Sequence, residues 1–155
     1  MNGPGMNSHN HPALASVGAW LFRWVAGIRL ADEKPSDSYG KGWEKALFAP
    51  GCVADPRLPS VTARVHTLYG PISVSWHNRT TTLSMSIELP ANTAGTVVVP
   101  ASISPATTTV TENGKTVWSG NHFVSGVSGV TAGEAVDGAV NLEVLSGSYT
   151  FSATV

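Results

Sequence analysis

His9 and His11 flank Asn10 directly ahead of Pro12 and a long apolar run, and they form the densest group of chemistry-bearing side chains in the sequence. An imidazole can move a proton, ligate a metal or hydrogen-bond a sugar hydroxyl. Two histidines two residues apart occur in metal sites, but no third ligand stands near them, so no metal is expected. Of the remaining histidines, His66 and His77 fall on polar positions of alternating segments and are expected in solvent, and His122 stands alone. The ten acids are dispersed, and the only adjacent pair, Asp32-Glu33, sits in a connection. Hydrolysis of a glycosidic bond needs two carboxylates opposed across the sugar. Acyl transfer needs an oriented nucleophile and base. There is no G-x-S-x-G elbow, P-loop or dinucleotide-binding glycine motif. No catalytic residue and no cofactor is therefore expected in this chain. The lone Cys52 can supply neither an internal disulfide nor a cysteine zinc site.

Charge narrows the partners. The net charge is −1, and the nine Lys and Arg are scattered along the chain. This pattern has no electrostatic footprint for nucleic acid and no basic patch for a membrane surface. The apolar run Ala13–Ile28 is shorter than the roughly 20 residues that cross a bilayer and contains Arg23. Residues 1–12 carry no Lys or Arg, so a secretory leader is not expected either. The compartment stays open.

Those side chains must be held by elements, and the elements change character at the middle of the chain. Residues 1–10 are glycine-rich and polar, a loop. Pro12 suits the first turn of a helix, where its missing N–H costs nothing, and Asn10 or His11 would stand near the N-cap. The spacing predicts a helix over Ala13–Ala26, stopped by Gly27. Leu14, Val17, Leu21, Trp24 and Ile28 share one face, while Trp20, Phe22 and Val25 fill most of the rest. A helix apolar nearly all round has to be covered on most sides, and the sequence after it offers no helical partners. Residues 30–59 read as a connection with one short strand, "KALFAP".

From Val61 the apolar period becomes two. Val61/Ala63/Val65, Ile72/Val74/Trp76 and Leu83/Met85/Ile87/Leu89 alternate with polar residues, the mark of antiparallel strands with one wet face. "HNRTTT" reads as a hairpin loop and "TVVVP" as a separate apolar strand. Asn113-Gly114 marks a tight hairpin, and two closing strands flank Ser146-Gly147. Eight or nine evenly spaced strands suit a β-sandwich. Trp76 lies on an apolar strand face, so it is expected in the core. Asn78-Arg79-Thr80 is an N-glycosylation sequon within the expected loop.

The opening segment "MNSHNHPALASVGAWLFRWVAGI" resembles the end of the catalytic (α/α)6 barrel of family 78 glycoside hydrolases, the α-L-rhamnosidases. In that family an S-x-N-H loop leads into the last barrel helix. Ser8, Asn10 and His11 match the loop, and Ser16, Val17, Gly18, Trp20, Phe22, Ala26, Gly27 and Ile28 match the helix. The likeness continues through "GWEKALFAP", "VTARVHTLYGPISVSWH", "LSMSIELPANTAGTVVVP", "NGKTVW" and "LEVLSGSYTFSATV", so it covers essentially the whole chain.

The resemblance implies an antiparallel β-sandwich preceded by one long apolar helix left over from a barrel. It implies residues 1–30 as the end of the barrel, 31–42 as a linker and 43–155 as the C-terminal sandwich. It implies a terminal portion of an enzyme that hydrolyses α-L-rhamnose from glycosides, non-catalytic alone because the family's two carboxylates have no counterpart here. His11, with Asn10 beside it, is the position implied to touch rhamnose. Many bacterial members carry Glu before the helix Trp, whereas here that position is Ala19. The exposed helix is expected to drive self-association of the chain alone. The alternative reading is a stand-alone β-sandwich that binds a carbohydrate or another partner.

Overall fold

The computed structural model describes residues 12–31, 42–79, 81–100 and 104–154. An α-helix, α1 (Pro12–Trp20), runs on into a six-residue π-helical turn, Leu21–Ala26. The expected helical segment ends at Ala26 as expected, but the α-helix is short: nine residues are α-helical and the last six are wound as a π-turn. Gly27 ends it in the left-handed conformation, φ 84°, where a side chain is disfavoured. The chain then turns sharply, and Ile28 enters a strand, β1 (Ile28–Leu30), instead of completing the helix face.

Among the described residues, nine more strands follow. β2 (Lys45–Phe48) comes after a short 3-10 turn, then β3 (Ser60–Thr67), β4 (Gly70–Arg79) and β5 (Thr82–Pro100). The rest are β6 (Val110–Glu112), β7 (Lys115–Ser119), β8 (His122–Phe123), β9 (Val130–Val136) and β10 (Ala139–Thr154). "KALFAP" is a strand as expected, and Asn113-Gly114 turns β6 into β7 with both residues at positive φ.

Two expectations are corrected by the length of β5 and β10. "LSMSIEL" and "TVVVP" are one continuous strand, and so are the two expected closing strands around Gly147. They pair with each other along nearly their whole length. The pairing jumps at one place, where Leu145 opposes Ala94 and Gly147 opposes Leu89. Four residues of β5, Pro90 to Thr93, thus face one residue of β10, Ser146. An unequal count of this kind bends a strand pair. Before the bend, β5 pairs with β4 and with the end of β10, which also carries β6. After it, β5 pairs with β2 and with the start of β10, which also carries β9. The sandwich is thereby one sheet carried round a corner by its two longest strands. It is mixed, because β2 runs parallel to β5 while the other pairs are antiparallel.

The "P-A-N-T" stretch builds that corner. Asn92 takes the left-handed conformation at φ 61°, which asparagine tolerates. The Thr93 hydroxyl donates to the Pro90 carbonyl at 2.6 Å and closes the turn. Across from it, the Tyr149 hydroxyl donates to the Leu145 carbonyl at 3.0 Å. Burial pushes that phenol's pKa up from its ordinary value.

The apolar residues of both halves meet in one core that includes Phe48, Ile72, Val74, Trp76, Met85, Leu142 and Phe151. Trp76, Met85 and Val74 are inside, as the period of two requires, and Trp118 joins them. The opposite side of β3, β4 and β5 is lined with Ser, Thr, His, Arg and Glu.

Candidate functional site

Two places concentrate what this chain offers to a partner, and the first is the junction of helix and sheet. A helix terminus leaves backbone carbonyls without intrahelical partners. Here several are met from outside the helix. The Gly51 N–H donates to the Trp24 carbonyl at 2.8 Å, and the Ala49 N–H donates to that of Gly27 at 2.8 Å. The Trp76 indole N–H, from the centre of β4, donates to the Val25 carbonyl at 3.1 Å. Val25, Ala26 and Ile28 are buried around these bonds. A Cβ on Gly27 would stand 2.3 Å from the Pro50 nitrogen, so only glycine lets the two segments approach. The Arg29 guanidinium lies 4.4 Å over the Trp24 ring and donates to the Ala49 carbonyl at 3.0 Å.

Among the described residues, the other side of the same helix has no cover. Val17, Trp20, Leu21, Phe22 and Trp24 are each between 40% and 55% exposed. Lone exposed apolar residues are ordinary, but a contiguous group on one element marks a contact surface. Sequence periodicity anticipated this group. It missed the anchoring by Trp76, since a tryptophan on a strand does not announce where its N–H will point.

The residues expected to meet a ligand, Asn10 and His11, lie outside the described residues, as does His9. His66, His77 and His122 are exposed. Asn78 is corrected: it stands inside β4 and its side-chain amide donates to the Val53 carbonyl. The sequon asparagine thus ties the strand to the preceding loop.

Four carboxylates of the described residues hold structure together. Glu112 is buried and accepts from the Asn113 amide at 2.6 Å. Glu143 accepts from Thr96 at 2.7 Å and pairs with Lys45 at 3.0 Å. Glu88 accepts from Ser73 and Arg64. Arg57 hydrogen-bonds Asp55 and holds its carboxyl down at about 2. No group of three His, Cys, Asp or Glu among the described residues is arranged to hold a metal. No described helix is long and apolar enough to cross a membrane.

Comparison with known proteins gives these features a setting. Residues 27–114 match the family described as bacterial alpha-L-rhamnosidase C-terminal domain. An alpha-L-rhamnosidase of Streptomyces avermitilis is 32% identical over 98 residues, which are 63% of this chain and 8% of that protein. The structure of an alpha-L-rhamnosidase from Dictyoglumus thermophilum superimposes with TM-score 0.74 at 30% identity, covering 100% of this chain and 15% of that one. The Streptomyces avermitilis enzyme crystallised with L-rhamnose superimposes with TM-score 0.68 at 27% identity, covering 98% of this chain and 12% of that one. The chain thus spans only a small part, 8% to 15%, of the proteins it matches.

Proposed function

The chain belongs to the bacterial α-L-rhamnosidase C-terminal domain family, and we propose that it serves as the non-catalytic closing portion of an enzyme that removes α-L-rhamnose from glycosides. The observation that carries this reading is the two-sided helix. Its C-terminal end is built into the sandwich through Trp76, Gly51 and Ala49, while its large apolar side chains have no cover among the described residues. A catalytic (α/α)6 barrel supplies such cover.

In this reading residues 1–30 complete the barrel, 31–42 link, and 43–155 form the sandwich, with β1 as the segment that fastens helix to sheet. Asn10 and His11 reach the rhamnose pocket. A neutral imidazole both donates and accepts, which suits a sugar hydroxyl. The chemistry itself belongs to carboxylates outside this chain, one protonating the leaving oxygen and one activating water. The chain alone self-associates through its uncovered helix face.

Two measurements test this. The purified chain should release no product from an aryl α-L-rhamnoside above background. Turnover that follows the protein through purification contradicts the reading. In an enzyme carrying this tail, His11→Ala should lower kcat/KM at least about tenfold, the worth of one hydrogen bond near the top of its usual range. Melting should change little. A loss of about 1 kcal/mol in stability with unchanged kinetics would make His11 a helix cap only.

A further inference from the structure

The outer face of β4 and β5 carries a second feature, independent of the helix. A depression of about 420 Å³ is lined, among the described residues, by His77, Arg79, Thr82 and Ser84. The strand register explains why these four meet. Arg79 is directly opposite Thr82, and His77 opposite Ser84, across an antiparallel pair. Side chains so opposed stand about 5 Å apart, and the two pairs are about 7 Å apart along the strand. The intervening pair points the other way: Leu83 is buried in the core and Asn78 gives its amide to the Val53 carbonyl, so the four share the wet face.

Their chemistry is one-sided. Each presents at least one donor, Arg79 is a permanent cation, and no carboxylate of the described residues lines the depression. The ion pairs among the described residues engage Lys45, Arg57 and Arg64. None engages Arg79, and no described hydrogen bond uses the side chains of His77, Arg79, Thr82 or Ser84. The acid nearest in register on this face is Glu88, two outward positions beyond Ser84, and it is already held by Ser73 and Arg64. The nearer outward neighbours are hydroxyls: Ser60 opposite His77 on β3, and Ser152 and Thr154 opposite Ser84 and Thr82 on β10. Ser75, Ser86 and Thr150 extend the hydroxyl surface along the strands.

We propose that this depression binds the oxyanion of an acidic saccharide, a sulfate or carboxylate group, with the sugar lying on the adjoining hydroxyl face. Arg79 forms charge-assisted hydrogen bonds to the anion, and His77, Thr82 and Ser84 donate beside it. Among the described residues the depression has no Trp, Tyr or Phe ring in its lining for a sugar to stack on, so recognition rests on charge and hydroxyl contacts, and it weakens as salt screens an exposed cation. The inference does not depend on the rhamnosidase reading.

Titration calorimetry of the 155-residue chain tests it, with oligomers of dextran sulfate, carboxymethyl dextran and plain dextran of equal length, and with inorganic sulfate. The expected result is binding of the two acidic oligomers, weakening with added salt, and none of plain dextran. Arg79→Gln and His77→Ala should each weaken binding, Arg79→Gln about tenfold or more. Lys115→Gln, a cation at the β6–β7 turn, should leave it unchanged. Melting curves of the variants check that each is folded. Absence of binding, or equal loss in Lys115→Gln, overturns the proposal. Inorganic sulfate binding as tightly as the sulfated oligomer overturns the saccharide part, because the hydroxyl face would then contribute nothing.

Discussion

Trp76 does two things with one side chain. Its ring fills the core of the sandwich, and its N–H holds the end of the helix. The two roles separate by substitution. Trp76→Phe keeps most of the apolar volume but leaves the buried Val25 carbonyl without its donor, which costs about 1–3 kcal/mol. Trp76→Ala adds a cavity and should cost about 3–5 kcal/mol. Chemical denaturation of both variants measures the difference. Equal destabilisation would mean that the indole N–H contributes nothing. Tyr149 offers a pH-dependent counterpart. Its folded pKa is raised by burial, so an unfolded chain ionises this phenol first. Stability should then be constant through neutral pH and fall as pH rises above about 10, the ordinary phenol value. Tyr149→Phe should flatten that alkaline loss while costing about 1 kcal/mol at neutral pH for the bond to Leu145. An unaltered alkaline profile in the variant contradicts the assignment.

At the scale of elements, the helix–sheet junction and the sandwich corner are the two constructions on which the rest depends. Gly27→Ala forces a Cβ against Pro50 in a left-handed conformation, so the helix end must lift from the 49–51 segment. The loss should exceed the 1–2 kcal/mol of conformational strain alone and should appear as increased amide exchange at Gly51 and Ala49. Removing residues 1–30 takes Ile28, which is fully buried, out of the core and should lower the melting temperature. Period-two alternation made β3, β4 and the first half of β5 legible in the sequence, and the Asn-Gly pair did so for the β6–β7 hairpin. The continuity of β5 and β10 was not legible, because Pro90 and Gly147 are residues that usually end strands. Here they bend one, with Asn92 and Thr93 making the corner. The short β1 was hidden for another reason: Ile28 fits a helix face by spacing, and only the Gly27 turn redirects it. Of the residues expected at a ligand, Asn10 and His11 came from family likeness alone. The four-residue depression on β4 and β5 needs cross-strand register, which no single segment carries.

At the largest scale, the described residues present a covered core, a hydroxyl-rich outer face and a half-exposed apolar helix. The last of these predicts behaviour in solution. Replacing Val17, Trp20 and Phe22 together by serine should abolish concentration-dependent association in sedimentation while lowering the melting temperature only modestly, since all three are about half exposed. A monomeric parent chain at high concentration would contradict that expectation. In the proposed function this helix and sandwich complete a rhamnosidase. That proposal is tested most directly by replacing the matching segment of the Dictyoglumus thermophilum relative with this chain and measuring hydrolysis of an aryl α-L-rhamnoside. The account predicts a folded hybrid that turns over substrate, and loses turnover when Val17, Trp20 and Phe22 become serine. A folded hybrid without activity, or one indifferent to those three substitutions, would contradict it.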